Sequence, residues 1–486
     1  MKILFAASEV DPIIKVGGIA DVIGSLGKEI KNAGHDIRIV IPFYQVLKKK
    51  KLDSLKNLGS FKVKIDRKIE TVNIFQTELD RKIPVYLLEH EKYLSQGKVY
   101  LDSNDFSSVA RFLFFSVSVL KIFKTINWQP DIIHAHDWQT GLIPVLAKLK
   151  KSDFKILFTI HNLLIQGSWN HKQVLKFLGL KGDETPTLKE KISGAYGDDF
   201  NLMQQAILNA DIITTVSPSY AQEIKTKDYY ARGLQAIIQK RKNDIHGVLN
   251  GIDVNIFNPE TDSFIKKHYS IKSLENKTVN KLALQKQIGL KQEATIPLLG
   301  LISRLDVQKG IDLISQTIDQ IVSLGCQVVF LGTGVKKYEE MLIQASQKYP
   351  DQVVTYLKFD SKLAQQIYAG VDIFLMPSRF EPCGLSQLIA MRYGTIPIVR
   401  ATGGLKDTVE NFKIEQGLFG FNKKIKGTGF TFDQFNQQEF IKTIKKSLEI
   451  YADKKFWRQL QINAMGQDFS WQQSAKEYLK LYKQLL

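Results

Sequence analysis

Residues 2–41 read KILFAASEVDPIIKVGGIADVIGSLGKEIKNAGHDIRIVI and contain one complete strand–helix–strand pattern. Residues 2–7 are almost entirely apolar, as in a strand that is buried on both faces of a sheet. Between positions 19 and 30 the apolar residues recur at helical spacing, and Gly34 follows where the helix should end. Residues 37–41 form the next apolar strand. The pattern predicts a βαβ unit with two parallel strands.

The same alternation continues through the chain in two series. Short apolar runs predict further strands of the first series at residues 131–135, 155–160 and 211–216. The second series begins near Pro297, with strands predicted at residues 298–302, 327–331, 353–357, 373–376 and 396–399. Helical patterns separate the strands and also close the chain. The sequence therefore predicts an α/β protein of two Rossmann-like parallel-sheet domains that face a deep interdomain cleft.

Turn-forming residues between Asn250 and Pro259 suggest where one domain ends. We expect four segments: an N-terminal domain at 1–248, a hinge at 249–262, a C-terminal domain at 263–462, and a terminal helix at 463–486. The terminal helix is expected to pack back on the first domain.

The composition excludes several classes of protein. Of the 486 residues, 44% are hydrophobic and 24% are charged, which excludes a disordered or collagen-like chain. No apolar run is long enough to predict a transmembrane helix. Two cysteines cannot form a disulfide framework, and the first residues are typical of a strand rather than of an export signal, so a cytoplasmic protein is expected.

The net charge of +18 allows two interpretations. It could serve a polyanionic partner such as nucleic acid, or it could be a solvated lysine-rich surface. The lysines are dispersed, and the chain has no zinc-finger spacing, arginine-rich arm or aromatic RNA-binding signature. Neither a nucleic acid nor a membrane is therefore expected as a partner.

Polar residues follow several predicted strands, where ligands of parallel α/β sheets bind. Lys15, Gly17 and Gly18 lie between the first strand and its helix, which is typical of a phosphate site but also of a tight turn. His134, His136 and His161 follow two other strands of the first series. They could bind a metal, pack inside the domain, or form a polar wall that binds sugar hydroxyls, with Trp138 as an apolar face for the sugar ring.

The second series offers charged residues at the equivalent positions. Arg304 and Lys309 lie five positions apart after the strand at 298–302, and they could bind a diphosphate or be ordinary surface cations. Glu381 precedes a predicted helix, so its carboxylate could accept hydrogen bonds from a sugar or simply cap the helix. The chain contains no Asp-x-Asp motif, so two fixed cations could stabilise a leaving diphosphate without a metal ion.

Taken together, these residues resemble the motifs of the bacterial glycogen synthases and the related starch synthases along essentially the whole chain. The motifs that carry the resemblance are Ser8-Glu9, Lys15 to Val22, His134 to Trp138, Thr159 to Asn162, Thr215 to Pro218, Leu249 to Asp253, Ser303-Arg304-Leu305 with Lys309-Gly310, Pro377 to Leu385, and Thr402 to Leu405.

The resemblance implies a metal-independent GT-B glycosyltransferase without a cofactor. Such an enzyme transfers glucose from ADP-glucose to the non-reducing end of an α-1,4-glucan and retains the anomeric configuration. It implies catalytic roles for His161, Arg304, Lys309 and Glu381. It also implies that ADP-glucose or the glucan acceptor is bound by Glu9, Lys15, Gly17, Gly18, Asp21, Asp137, Asn162, Asn250, Phe359, Cys383, Gly384, Leu385 and Thr402.

The chain departs from the usual family pattern at several positions of its first half and near the hinge. A histidine is usual at Gln139, an Asp-Asn pair at Ser107-Ser108, and lysine and glycine at Gln204 and Ala206. Arg232 stands where the family usually has Gly or Glu, and Phe257 stands where it usually has Trp. These changes concern acceptor preference more than the reaction. The alternative that the sequence leaves open is a non-catalytic protein of the same fold that binds nucleotide sugars or glucans.

Overall fold

The computed structural model describes residues 1–50, 52, 54–101, 105–181, 184, 186–189, 192–194, 197–416 and 423–486. The chain forms two compact units, one of Met1–Asn250 with Trp471–Leu486 and the other of Gly251–Ser470. Most of the predicted hinge and residues 463–470 thus belong to the second unit. There the amide of Ile252 donates to the carbonyl of Phe469 at 2.8 Å, which joins the two ends of that unit.

A nine-stranded sheet in the order β12-β11-β7-β6-β1-β2-β5-β4-β3 forms the centre of the first unit. Its strands and a separate three-stranded sheet (β8-β10-β9) are β1 (Lys2–Ala6), β2 (Asp36–Pro42), β3 (Lys56–Ile65), β4 (Lys68–Leu79), β5 (Ile83–Glu89), β6 (Ile132–His136), β7 (Lys155–Ile160), β8 (Ser168–Asn170), β9 (Ile192–Gly194), β10 (Gly197–Asn201), β11 (Ile212–Thr215) and β12 (Ile245–Gly247). The helices are α1 (Gly18–Asn32), α2 (Gln45–Lys48), α3 (Phe106–Val119), α4 (Leu142–Leu149), α5 (His171–Leu178), α6 (Leu202–Asn209), α7 (Pro218–Thr226), α8 (Asp228–Ala231) and α9 (Gln235–Lys240).

The predicted βαβ unit is confirmed, because β1 pairs in parallel with both β2 and β6. The nine-stranded sheet is parallel except at one edge, where β4 pairs antiparallel with β3 and β5. A two-residue turn joins β3 to β4, and its first residue, Asp66, has a φ of +51°. Such a turn permits only an antiparallel hairpin, whereas a parallel pair needs a long crossover.

A six-stranded parallel sheet in the order β15-β14-β13-β16-β17-β20 forms the centre of the second unit. Its strands and a separate antiparallel pair (β18-β19) are β13 (Leu298–Ile302), β14 (Gln327–Leu331), β15 (Val353–Tyr356), β16 (Ile373–Met376), β17 (Ile396–Arg400), β18 (Lys413–Gln416), β19 (Lys423–Lys426) and β20 (Phe430–Phe432). The helices are α10 (Lys277–Gln287), α11 (Ile311–Ser323), α12 (Lys336–Lys348), α13 (Ser361–Gly370), α14 (Ser386–Arg392), α15 (Gly403–Thr408), α16 (Gln437–Ala452) and α17 (Lys454–Met465).

The last helix, α18 (Trp471–Leu485), packs against α1 of the first unit. Trp471, Tyr478 and Tyr482 lie in the same apolar core as Ile23 and Leu26 of α1. Burial of large side chains such as these contributes roughly 1.5–3 kcal/mol each. The helix is therefore an integral part of the first unit. Among the described residues, no helix combines the length and the apolarity that crossing a membrane requires.

Candidate active site

In the second unit, two loops meet at the carboxyl ends of β13 and β16, which are neighbouring parallel strands. The first loop follows β13 and contains a 3-10 turn, Val307–Lys309. The second, residues 377–385, follows β16 and is called the Glu381 loop below. Gly310 has a φ of +71°, and a Cβ there would lie 2.1 Å from the carbonyl oxygen of Pro377. Only glycine allows the two loops to approach this closely.

Lys309 and Glu381 form an ion pair across these loops, with Nζ 2.6 Å from Oε2. The Lys309 side chain is 17% exposed and the Glu381 side chain only 6%. The Ser378 hydroxyl also donates to Glu381 Oε2 at 3.1 Å, and Asp306 accepts the backbone N–H of Lys309. These bonds hold an ammonium group and a carboxylate side by side. The ammonium group can bind phosphate, and the carboxylate can bind sugar hydroxyls.

Arg304 and Phe359 lie on the surface of the same unit. The Arg304 side chain is 70% exposed, and its Nη2 lies 3.4 Å from Asp306 Oδ2. Such an exposed pair contributes little to stability, so the guanidinium can exchange Asp306 for an anionic ligand. Phe359 is 87% exposed, and it precedes Asp360, the N-cap residue of α13. An aromatic ring left this open offers a flat apolar face to a ligand.

The glycine pair at the start of α15 supports the Glu381 loop. A Cβ on Gly403 (φ +45°) would lie 2.0 Å from the carbonyl oxygen of Glu381, and one on Gly404 would lie 2.2 Å from that of Cys383. The Gly404 amide donates to the Glu381 carbonyl at 3.1 Å. The remaining predicted residues of this unit lie on or beside the same loop: Cys383 and Thr402 are buried, and Gly384 and Leu385 are partly exposed.

In the first unit, Glu9 organises the loop that precedes α1. Its buried carboxylate accepts hydrogen bonds from the amides of Val16 and Gly17, the latter at 3.0 Å, and from the hydroxyl of Tyr100 at 2.9 Å. Burial raises the pKa of the Glu9 carboxyl, although the two amides act against this shift. The Glu9 side chain therefore holds the glycine loop from behind.

Lys15 and Asp21 form an ion pair at the start of α1. Burial raises the pKa of Asp21 although Lys15 opposes the shift. Gly17 is the N-cap residue of α1 and provides no side-chain cap, and a Cβ on Gly18 would meet no atom of the described residues within 4 Å. The first turn of α1 thus has open space beside it and an uncapped N-terminus, the arrangement that binds anions.

Asp137 and His161 lie at the carboxyl ends of the neighbouring strands β6 and β7. Asp137 has a φ of +54°, and its Oδ1 accepts the backbone N–H of His161 at 2.7 Å. Burial raises the pKa of Asp137 to about 7, against the lowering effect of the His161 and Asn162 amides. The side-chain oxygen of Asn162 accepts the amide of Leu164. Backbone strain of this kind in a non-glycine residue is often found at functional sites.

The rings of His134, His136 and His161, called the histidine cluster below, lie side by side. Nδ1 of His136 lies 3.1 Å from Nε2 of His161, while His134 bonds to Tyr482 and Thr159 at 2.8 and 2.6 Å. Burial lowers the pKa of all three imidazoles, that of His161 to about 3. In the described part of the chain, no group of three or more His, Cys, Asp or Glu side chains could hold a metal ion.

Trp138 does not offer an open apolar face, so that expectation from the sequence is wrong. Only 9% of the residue is exposed. Gly167 lies against the indole, since a Cβ there would be 2.2 Å from a ring carbon. Phe112 packs edge-on against the ring with centroids 5.1 Å apart.

Gln139 and Gln204 are two of the positions that depart from the family pattern, and both are buried. Gln139 lies in the 3-10 turn Trp138–Thr140 and Gln204 in α6, and these two elements contact each other. Within the described ranges of the chain, the Oε1 atoms of the two glutamines have no hydrogen-bond partner, and neither does Oδ1 of the predicted site residue Asn250. Sequence reasoning missed Tyr100, Ser378 and Tyr482, which contact predicted site residues or the histidine cluster. Nothing in the local sequence marked Tyr100 and Tyr482, because the residues they contact lie in other elements, whereas Ser378 lies on the same loop as Glu381.

Comparisons with known proteins identify the family of the chain. A family model described as starch synthase catalytic domain matches residues 2–240, and one described as glycosyl transferases group 1 matches residues 285–464. Glycogen synthases of Clostridium perfringens and Streptococcus agalactiae are 43% and 40% identical to the chain, covering all of it and 98% and 100% of those proteins.

Two solved structures are similar to the chain. The catalytic domain of starch synthase IV from Arabidopsis thaliana, bound to ADP and acarbose, has a TM-score of 0.88 and 35% identity, with 99% of each chain covered. Sucrose-phosphate synthase from Thermosynechococcus elongatus has a TM-score of 0.61 at 18% identity, with 100% of this chain and 98% of that chain covered, and it shows the fold alone. The chain has the GT-B fold and belongs to the glycogen synthase family of glucan-elongating glycosyltransferases.

Proposed function

We propose that this protein transfers glucose from ADP-glucose to the non-reducing 4-hydroxyl of an α-1,4-glucan, with retention of configuration and without a metal ion. The observation that carries the proposal is the Lys309–Glu381 pair at the strand ends of a glycosyltransferase domain, with the exposed Arg304 on the same loop as Lys309. Membership of the glycogen synthase family and the ADP-bound starch synthase relative support the choice of donor.

In the reaction, the bond between the anomeric carbon and the phosphate oxygen breaks, and its electron pair stays with the departing ADP. A new bond forms on the same face with the acceptor 4-hydroxyl oxygen, and the hydroxyl proton passes to the departing diphosphate. We assign to Arg304 and Lys309 the stabilisation of the negative charge that develops there. The Lys309–Glu381 pair keeps both groups in place before the donor binds, because each is the other's counter-ion.

When the donor is bound, the Glu381 carboxylate accepts hydrogen bonds from glucose hydroxyls. Cys383, Gly384, Leu385 and Thr402 complete this part of the donor site, and Phe359 stacks on the adenine. The support for these roles is that Glu381 and its glycine-supported loop lie next to Lys309, and that the Phe359 ring is exposed.

For the first unit we propose that Lys15, Gly17 and Gly18 bind donor phosphate oxygens at the start of α1. Glu9 supports their loop from its buried position. Asp21 positions Lys15, and Asp137 positions His161. The His161 ring contacts the transferred glucose. Asn162 and Asn250 belong to the same substrate surface. The open space beside Gly18 supports the first of these roles.

The test is transfer of radiolabelled glucose from ADP-glucose onto glycogen and onto maltotriose, in competition with UDP-glucose. Arg304→Ala, Lys309→Ala and Glu381→Ala should each lower kcat on the order of 10²-fold or more, because each removes about 3 kcal/mol of transition-state stabilisation, through phosphate contacts for the two cations and through sugar contacts for Glu381. Lys348→Ala is the matched control, since Lys348 forms an exposed ion pair with Asp319 elsewhere in the same unit. A protein that binds ADP but transfers no glucose would contradict the proposal.

Metal independence has its own test, because Lys309 and Arg304 are proposed to do what a divalent ion does in other glycosyltransferases. Transfer should continue after treatment with a chelator. Loss of activity that magnesium or manganese restores would overturn this part of the proposal.

We also propose a cytoplasmic location, which the two buried free thiols, Cys326 and Cys383, support.

A further inference from the structure

The histidine cluster contains two imidazoles that the proposed function does not use, and one of them, His136, contacts His161. His136 ends β6 and is 1% exposed, and the only hydrogen bond of its ring within the described residues joins Nδ1 to Nε2 of His161. The other ring nitrogen, Nε2 of His136, is buried and has no partner among the residues that the structure describes. The His136 ring packs against Phe5 and His134, with centroids 5.3 and 4.0 Å away. His136 is therefore fixed in one orientation with a single polar contact.

The protonation of this pair decides which face His161 presents to a ligand. Burial and the neighbouring imidazoles lower the pKa of His136, and burial lowers that of His161, so both rings are neutral near pH 7. Each ring then carries one N–H proton, and two arrangements of the pair remain. Either His136 donates its Nδ1–H to Nε2 of His161, or His161 donates its Nε2–H to Nδ1 of His136.

The unpartnered nitrogen distinguishes the two arrangements. If His161 were the donor, His136 would carry its proton on Nε2, and a buried N–H would lack an acceptor. If His136 is the donor, the unpartnered Nε2 is an acceptor without a proton. Unsatisfied buried N–H donors are rarer than unsatisfied acceptors, which favours the second case. The proton of His161 then lies on Nδ1, which makes no hydrogen bond within the described part of the chain.

We propose that His136 is a positioning residue: it donates Nδ1–H to His161 and so leaves the Nδ1–H of His161 to donate to a hydroxyl oxygen of the transferred glucose. The inference rests on the proposed function, which places glucose at His161. Asp137, which follows His136, fixes the backbone of His161 through its amide. The side chains of two consecutive residues thus fix the main chain and the ring of one catalytic residue.

Nuclear magnetic resonance tests the proton assignment directly. Long-range ¹H–¹⁵N spectra of ¹⁵N-histidine-labelled protein distinguish Nδ1–H from Nε2–H, and the His161 signals are identified by their loss in His161→Gln. We expect the Nδ1–H tautomer for both His136 and His161. An Nε2–H tautomer of His161 would overturn the proposal.

Two substitutions separate the hydrogen bond from the packing. The amide nitrogen of Asn can occupy the position of Nδ1, whereas that of Gln occupies the position of Nε2. His136→Gln should therefore lower kcat about tenfold or more, and His136→Asn should keep a kcat at least about fivefold higher than that of His136→Gln. The KM for ADP-glucose should change less than about threefold in both. Equal activities of the two variants would contradict the positioning role.

His171 is the matched control, because it is also buried in the first unit and bonds through its other nitrogen. Its Nε2 lies 2.7 Å from the carbonyl oxygen of Leu188. For His171, Gln is the conservative substitution, because its amide nitrogen can occupy the position of Nε2, and Asn is not. Both His171 variants should differ from the wild type in melting temperature but not in kcat. A similar loss of kcat in His171→Asn would show that any cavity in this unit impairs catalysis.

The spectra also separate this inference from the proposed function. They need neither donor nor acceptor, so they can show Nδ1–H on His161 even if the protein transfers no glucose. In that event the proposed function fails and the proton assignment stands. If glucose is transferred but His136→Phe retains the wild-type kcat, the positioning role fails and the proposed function stands.

Discussion

The Lys309–Glu381 pair of the second unit and the histidine cluster of the first unit hold polar groups in opposite ways. In the second unit, opposite charges lie 2.6 Å apart and one partner remains partly exposed. In the first unit, burial lowers the pKa of the imidazoles and raises that of Asp137, so the buried groups favour their neutral forms. A charged site suits a diphosphate, and a neutral, fixed site suits hydroxyl groups. The four predictions that follow test this contrast.

The largest effect on stability is expected for a glycine substitution in the second unit, because Gly403 packs against a neighbouring loop whereas Gly18 of the first unit has open space beside it. Gly403→Ala places a Cβ 2.0 Å from the Glu381 carbonyl oxygen at a φ of +45°, so we expect a loss of more than about 4 kcal/mol of unfolding free energy. Gly18→Ala meets open space and should leave the melting temperature nearly unchanged while raising the KM for ADP-glucose. Circular dichroism melts and initial rates measure both. Equal destabilisation by the two substitutions would contradict the contrast.

The second prediction concerns the pH dependence of the first unit. Because the pKa of Asp137 is about 7 in the folded protein and near 3.8 when exposed, this carboxyl makes stability fall as pH rises from about 4 to 7. The imidazoles act oppositely, since their lowered pKa values make stability fall as pH drops below about 6.5. Asp137→Asn removes only the first contribution, at most about 4 kcal/mol for a shift of this size.

Calorimetric melting temperatures of wild type and Asp137→Asn, recorded from pH 4.5 to 7.5, test this sign. The variant should gain stability relative to wild type as pH rises, by several degrees over the range. Asp211→Asn is the control, because Asp211 also accepts a backbone N–H, that of Ile156, at the other end of the same sheet. A difference that does not change with pH would show that Asp137 is ionised in the folded protein.

The third prediction concerns the ion pair. Lys309→Ala and Glu381→Ala each leave a partly or fully buried charge without its partner, and each should lower kcat about 10²-fold. Since the two side chains act as one unit, the double variant should be little worse than either single variant. Strictly multiplicative losses in single-turnover transfer assays would show that the two residues act independently.

The structure also shows what could be predicted from the sequence. The buried strands β1, β13 and β16 and the polar residues that follow them were predictable, because a doubly buried strand is a continuous apolar run. The β3–β4 hairpin was not, since β3 is largely exposed and lacks such a run.

Long-range side-chain contacts were the least predictable part of the site. Lys309 and Glu381 were each predicted to bind substrate, but their pairing joins residues 72 positions apart. His134 and Tyr482 are 348 positions apart, and no local pattern at Tyr482 indicates a polar role. Local spacing reports which side of a helix or strand is buried, whereas such contacts depend on how the elements pack.

The smallest effect is expected where the terminal helix meets the histidine cluster. The Tyr482 hydroxyl lies 2.8 Å from Nδ1 of His134, whose Nε2 lies 2.6 Å from the hydroxyl of Thr159 on β7. Tyr482→Phe leaves the ring packing in place and removes one buried hydrogen bond, so it should cost about 1 kcal/mol and lower the melting temperature by about 2–4 °C. Because the charge state of the cluster does not depend on this bond, kcat should fall less than about threefold. A drop in kcat as large as that of Lys309→Ala would mean that the terminal helix sets the geometry of His161 and does more than cover the core.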